Sequence, residues 1–144
     1  MVMITATRFH DFSMGHKVTG HENKCAHLHG HNYRIHFTLR SVEEQDALGR
    51  VIDFSVIKSK LCEWLEENWD HKMMLWEHEP LAFILMQEVP QDIVLVDFNP
   101  TAENMAKYLC EEVAVEQLAG TGCVLIKCVI EETRKCLATY EIGN

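Results

Sequence analysis

Apolar and polar positions alternate most cleanly over residues 32–40, "NYRIHFTLR". Tyr33, Ile35, Phe37 and Leu39 share one parity, and Arg34, His36, Thr38 and Arg40 share the other. That is the period of a half-buried strand. Residues 2–12, "VMITATRFHDF", are β-rich with partial alternation and predict a strand before it. Between the two, residues 13–30 carry Gly15, Gly20, Asn23 and most of the early histidines, and read as a loop. After an acidic turn, "VIDFSVIKSKLCEWLEENWD" places Ile57, Leu61, Trp64, Leu65 and Asn68 at helical spacing, with Asp53 or Ser55 as the cap. A shorter helix is expected at 79–88 and a short strand at "DIVLVDF". The clearest helix is "NPTAENMAKYLCEEVAVEQLAGTG". Thr101 follows Pro100 as N-cap, Ala102, Met105, Ala106, Leu109, Val113 and Leu118 form the apolar stripe, and Gly120 ends it.

"CVLIKCVIEE" and "CLATYEI" predict a closing antiparallel pair. On the first, Val124, Ile126, Cys128 and Ile130 are expected to share a face that Glu132 continues. The order is strand, strand, helix, helix, strand, strand, with an insert at about 72–98 between the helices. Strands segregated from helices indicate an α+β fold, here one domain over 1–144.

Composition narrows the function. The 144 residues are 47% apolar and 24% charged, ordinary for a soluble domain. No apolar run approaches the roughly 20 residues that span a bilayer, and the start has no basic leader before an apolar block. A cytoplasmic protein without a membrane partner is expected. The net charge of −9, with no Lys/Arg cluster, argues against nucleic acid as the main partner. The six cysteines include no C-x-x-C pair, and all except Cys25 read as reduced core residues.

The chemistry concentrates in "CAHLHGHNY", residues 25–33. His29 and His31, two apart where a strand begins, can present two imidazoles to one ion, and Gly30 between them carries no side chain. Spacing does not choose a third ligand: His10, His16, His21, His27 and Cys25 all remain open. Cys25 is either a ligand closing a structural site or a free thiol beside the metal. Asp70 and His71 are an adjacent carboxylate and imidazole, residue types that form proton relays, although neighbours in sequence do not usually bond in that way. Glu132 is a carboxylate on an apolar stripe and has to meet something polar.

Taken together, "FSMGH" (12–16), "CAHLHGHNY" (25–33), "GRVIDFSVIK" (49–58), "WDHKMML" (69–75), "NPTAENMAKYL" (99–109) and "VIEET" (129–133) fall in an order that resembles the 6-pyruvoyl-tetrahydropterin synthase family. The closer match is its bacterial branch, the 6-carboxytetrahydropterin synthases of queuosine biosynthesis, on the three-residue gap between Cys25 and H-G-H. The resemblance implies a tunnelling fold, with a four-stranded antiparallel sheet and two main helices on one face. It further implies an oligomeric barrel, usually a hexamer built as a dimer of trimers. It makes His16, His29 and His31 the ligands of Zn2+. Cys25 becomes the catalytic cysteine, Asp70 and His71 the relay, and Glu132 the carboxylate that grips the pterin, with Thr101 or Glu103 touching the ring. His27 receives no role. The implied activity is a zinc-dependent lyase acting on 7,8-dihydroneopterin triphosphate. The alternatives are pyruvoyl-tetrahydropterin synthesis and a non-catalytic zinc- or pterin-binding protein on the same scaffold. The stretch 72–98 is longer than in compact members of the family.

Overall fold

The structure is a computed structural model that describes residues 2–21 and 26–143. Four long strands make the antiparallel part of one sheet: β1 (Ala6–His16), β2 (His29–Ser41), β5 (Cys123–Glu131) and β6 (Leu137–Glu141). Two short strands, β3 (Met73–Trp76) and β4 (Ile93–Val96), run parallel to β1 and extend the sheet beyond it, giving the order β4-β3-β1-β2-β5-β6.

The expectation of a four-stranded antiparallel sheet is therefore corrected to six strands of mixed direction. The insert supplies the extra two. Its apolar runs "MMLW" and "IVLV" satisfy backbone groups along the free edge of β1, which would otherwise be open where β1 ends. Gly15 permits the approach: a Cβ there would lie 2.5 Å from Met73 Cε. The expected short helix is α2 (Ala82–Glu88), leading through a 3-10 turn at Pro90–Asp92 into β4.

Both main helices lie on one face. The run 54–68 (α1) is α-helical at Phe54–Ile57 and Glu63–Asn68 and π-helical at Lys58–Cys62. The run 102–117 (α3) is α-helical at Ala102–Tyr108 and Ala114–Gln117 and π-helical at Leu109–Val113. Asp53 caps α1 by accepting from Ser55 N, and Thr101 caps α3 by accepting from Asn104 N at 3.1 Å. Each such cap contributes about 1 kcal/mol. Gly120, at φ +83°, turns the chain after α3 in a left-handed conformation that strains any residue with a Cβ. Ile57, Leu61 and Leu65 of α1 and Met105, Ala106 and Leu109 of α3 join Tyr33, Ile35, Phe37 and Leu39 in one core. Each large side chain buried there contributes roughly 1.5–3 kcal/mol. No helix among the described residues is long and apolar enough to cross a membrane.

Two local readings of the sequence change. The first strand begins at Ala6 and continues to His16, because Phe12, Met14 and His16 keep the alternation on the buried face through what reads as loop. On β5 a bulge opposite Thr38/Leu39 inserts one residue, so Cys123 and Leu125, not Val124 and Ile126, share the core with Cys128 and Ile130. Beyond the bulge the expected parity holds.

Candidate active site

The register of β1 on β2 builds the site. His16 lies directly opposite His29, and His31 opposite Met14. Side chains at opposed positions and two residues along share one face, so two strand ends bring three imidazoles together. Their ring centroids are 4.6, 4.8 and 5.1 Å apart, and one nitrogen from each falls within 4.8 Å of the others. His16 Nε2 is 3.1 Å from His29 Nε2. Gly15 and Gly30 pair between the histidine positions, and the lack of a side chain at Gly15 leaves room for Met73.

Two of the rings have their outer nitrogen held by a carbonyl. His16 Nδ1–H donates to Pro100 O at 2.7 Å, and His29 Nδ1–H donates to His27 O at 2.7 Å. These bonds fix the tautomer that turns both Nε2 lone pairs inward. His31 Nε2 is buried with no hydrogen-bond partner, an arrangement that folding avoids unless something else fills it. Burial, against the pull of the Pro100 carbonyl and helped by the neighbouring rings, lowers the His16 pKa to about 4. Burial and His29 lower that of His31 as well. Neutral imidazoles with converging lone pairs fit a borderline divalent metal ion, and three of them leave a coordination position open. Among the described residues this is the one group of His, Cys, Asp or Glu with that geometry.

The remaining candidates fall around this centre. Cys25 lies outside the described residues. His27 is exposed and contributes its carbonyl. His10, open as a ligand by spacing, instead pairs with Glu66 at 2.6 Å. Asp70 and His71 do bond each other. His71 takes a left-handed conformation, φ 61°, which folds its ring back so that Nδ1 lies 2.9 Å from Asp70 Oδ2. Asp70 Oδ1 accepts from Ser13 N at 3.0 Å, and His71 N donates to Ser13 O at 2.7 Å, which pins the pair to β1. Burial alone raises the Asp70 pKa, but the Ser13 N–H and the His71 ring outweigh it and hold the carboxyl below its usual range. His71 and His31 line the same cavity of about 440 Å³, with Ser13, Met14 and Gly30.

A left-handed conformation at a residue with a Cβ costs about 1–2 kcal/mol, and such strain gathers at functional sites. His71→Gly is therefore expected to be more stable than His71→Ala by about 1 kcal/mol, a difference of several degrees in Tm. Equal melting temperatures for the two would mean that the backbone here is unstrained.

Glu132 follows β5 on the parity of Ile130. Burial raises its pKa, Glu103 raises it further, and His29 opposes both. Glu103 and Glu132 line one cavity of about 280 Å³. Glu132 also borders a second cavity, of about 970 Å³, that reaches Gly30, His31 and Arg34. Glu131 turns to the other face and is hydrogen-bonded to His36. Thr101 uses its hydroxyl oxygen for the helix cap.

Sequence reasoning does not anticipate Pro100 and Ser13. Both act through backbone atoms, which any residue carries, so no side-chain pattern could mark them.

A three-imidazole centre on an α+β scaffold, flanked by a carboxylate–imidazole pair and a half-buried glutamate, is a site with the geometry to hold a metal ion. Comparison with known proteins narrows it. The family described as "6-pyruvoyl tetrahydropterin synthase" matches residues 5–143, and the chain belongs to that family. The 6-carboxy-5,6,7,8-tetrahydropterin synthase of Rickettsia felis is 35% identical over 135 residues, covering 93% of this chain and 97% of that protein. The protein of the same name from Haemophilus influenzae is 29% identical over 74% of this chain and 79% of its own. Among solved structures, the 6-pyruvoyl tetrahydropterin synthase of Caenorhabditis elegans superposes with a TM-score of 0.69 at 26% identity, covering 99% of this chain and 98% of that one. An uncharacterized protein from Wolinella succinogenes gives 0.86 at 22% identity over 99% and 100%, a likeness of fold. The expectation of a synthase of this family is met.

Proposed function

We propose that this protein is a cytoplasmic, zinc-dependent 6-carboxytetrahydropterin synthase of queuosine biosynthesis. It takes 7,8-dihydroneopterin triphosphate and water to 6-carboxy-5,6,7,8-tetrahydropterin, acetaldehyde and triphosphate. The observation that carries the reading is the 35% identity, over 93% of the chain, to a relative bearing that name. The converging imidazoles, with the unpartnered Nε2 of His31, support a metal in the reaction.

In this reading His16, His29 and His31 hold the zinc, and the ion supplies Lewis acidity toward the oxygens of the substrate side chain. Cys25 removes the proton from the adjacent carbon. His71, oriented by Asp70, carries protons to and from the side-chain oxygen. Glu132 accepts from the N–H and amino donors of the pterin edge, with Glu103 and Thr101 beside the ring. The chain works as a homohexamer of two trimers, in which neighbouring subunits cover the β4 and β6 edges. Mass-spectrometric identification of the products formed by metal-loaded protein tests the reading. Carboxy-tetrahydropterin with acetaldehyde is expected. Pyruvoyl-tetrahydropterin would place the chain in the other branch, and no turnover would leave a binding protein.

Glu132 sets a second test. Charge-assisted hydrogen bonds contribute roughly 1.5–3 kcal/mol each. Glu132→Gln puts a donor where an acceptor is needed and is expected to weaken pterin binding at least about tenfold with zinc retained. Glu131→Gln is expected to change it little, because Glu131 is engaged with His36 on the opposite face. Equal losses at the two positions would remove Glu132 as the anchor.

A further inference from the structure

Two polar or charged residues, His16 and Glu79, are fully buried among the described residues, 1% and 2% exposed. His16 belongs to the metal centre. Glu79 belongs to the insert, in the turn between β3 and α2, and nothing in the proposed reaction uses it.

A carboxylate is buried only where its oxygens are satisfied, and those of Glu79 are. Oε2 accepts from Leu81 N at 2.6 Å. Oε1 accepts from the Lys17 ammonium, and the Thr19 hydroxyl approaches it at 3.5 Å. Both partners lie on the segment that leaves β1 at His16. Lys17 is the next residue. At Thr19 the backbone is clamped from a second side: its N–H donates to Asn99 Oδ1 at 2.9 Å, and its carbonyl accepts from Asn99 Nδ2 at 2.8 Å. Asn99 immediately precedes Pro100, whose carbonyl holds His16 Nδ1. Asn104 Nδ2 in turn donates to Asn99 O, tying the clamp to the first turn of α3. The chain around His16 is thus held in a closed ring: Glu79 grips Lys17 and Thr19, Asn99 grips Thr19, and Pro100 grips the imidazole.

We propose that Glu79 is a positioning residue for the metal ligand His16, and that the insert 72–98 is the brace that carries it. This rests on the reading of the three histidines as a metal site. Glu79 acts through geometry, since Lys17 neutralises its charge locally. It fixes the end of β1, and with it the distance between the His16 ring and the carbonyl that sets its tautomer. Outer partners that orient a ligand typically change metal affinity by about 10–100-fold.

The test uses full-length protein freed of metal. Zinc affinity is read by competition with a chromophoric chelator, and ligand geometry by the visible absorption of the Co(II)-loaded protein. Glu79→Gln is expected to bind zinc about tenfold or more weakly and to shift the cobalt bands. Phe83→Ala, on the exposed side of α2 in the same insert, is expected to change neither. If Glu79→Gln does not fold, Asn99→Ala, which cuts the same ring at its other side, is measured against the same criterion. A folded variant with a lower Tm but unchanged zinc affinity and cobalt spectrum overturns the proposal and leaves Glu79 a structural residue. Absence of zinc binding by the unmutated protein would sink the metal reading itself, and the brace with it.

Discussion

Cys25→Ala is expected to lower turnover of dihydroneopterin triphosphate by about 10²–10⁴-fold, the usual cost of losing a general base, with zinc still bound at one per chain. The two halves of that result have separate grounds. Zinc is retained because His16, His29 and His31 already converge three nitrogens, and a catalytic zinc typically has three protein ligands and an open position. A fourth protein ligand would close the site. Turnover falls because the proposed reading makes Cys25 the general base, and alanine offers no group that can take the proton. Cys25 stands four residues before His29 in sequence. Zinc content by elemental analysis and single-turnover rates on the same preparation check both halves. Joint loss of zinc and activity would recast Cys25 as a ligand of a closed site.

What could be read in advance follows from how far apart in the chain each determinant lies. The β2 face and the α3 stripe were legible because their signals repeat within one element: Tyr33, Ile35, Phe37 and Leu39 at period two, and Met105, Ala106, Leu109 and Val113 at helical spacing. The Thr101 cap was legible for the same reason. The β5 facing failed at its first half because a bulge is a property of the pairing with β2, invisible in β5 alone. The third imidazole of the cluster was not readable from spacing, since His16 meets His29 through strand register and not through any fixed interval. Family resemblance pointed to His16, and the register gives the physical cause. The Asp70–His71 contact ran against local expectation because it depends on one left-handed residue that no side-chain pattern announces. The insert was visible as extra length, with β4 readable in "DIVLVDF", whereas β3, equally short, is "MMLW" and lacks the β-branched residues that mark a strand.

His16→Ala is expected to abolish zinc binding at micromolar metal, and His27→Ala to leave it intact. The two side chains differ in everything that matters to an ion. The His16 ring is buried, locked by Pro100, and 3.1 Å from His29 at its inner nitrogen. Alanine removes one of three donors, a larger change than the about 10–100-fold that follows from altering an outer partner. The His27 ring is exposed, and the group it lends to the site is its backbone carbonyl, bonded to His29 Nδ1. Alanine keeps that carbonyl, so the His29 tautomer survives. Thermal denaturation with and without added zinc reads the difference as stability. A ligand at 100 times its Kd stabilises the folded state by about 2.7 kcal/mol, so the unmutated protein and His27→Ala are expected to melt several degrees higher with metal, and His16→Ala at the same temperature with or without it. A metal-dependent rise in His16→Ala, or its absence in His27→Ala, would break the ligand set, because a strand register that opposes His16 to His29 leaves no other described imidazole to complete it.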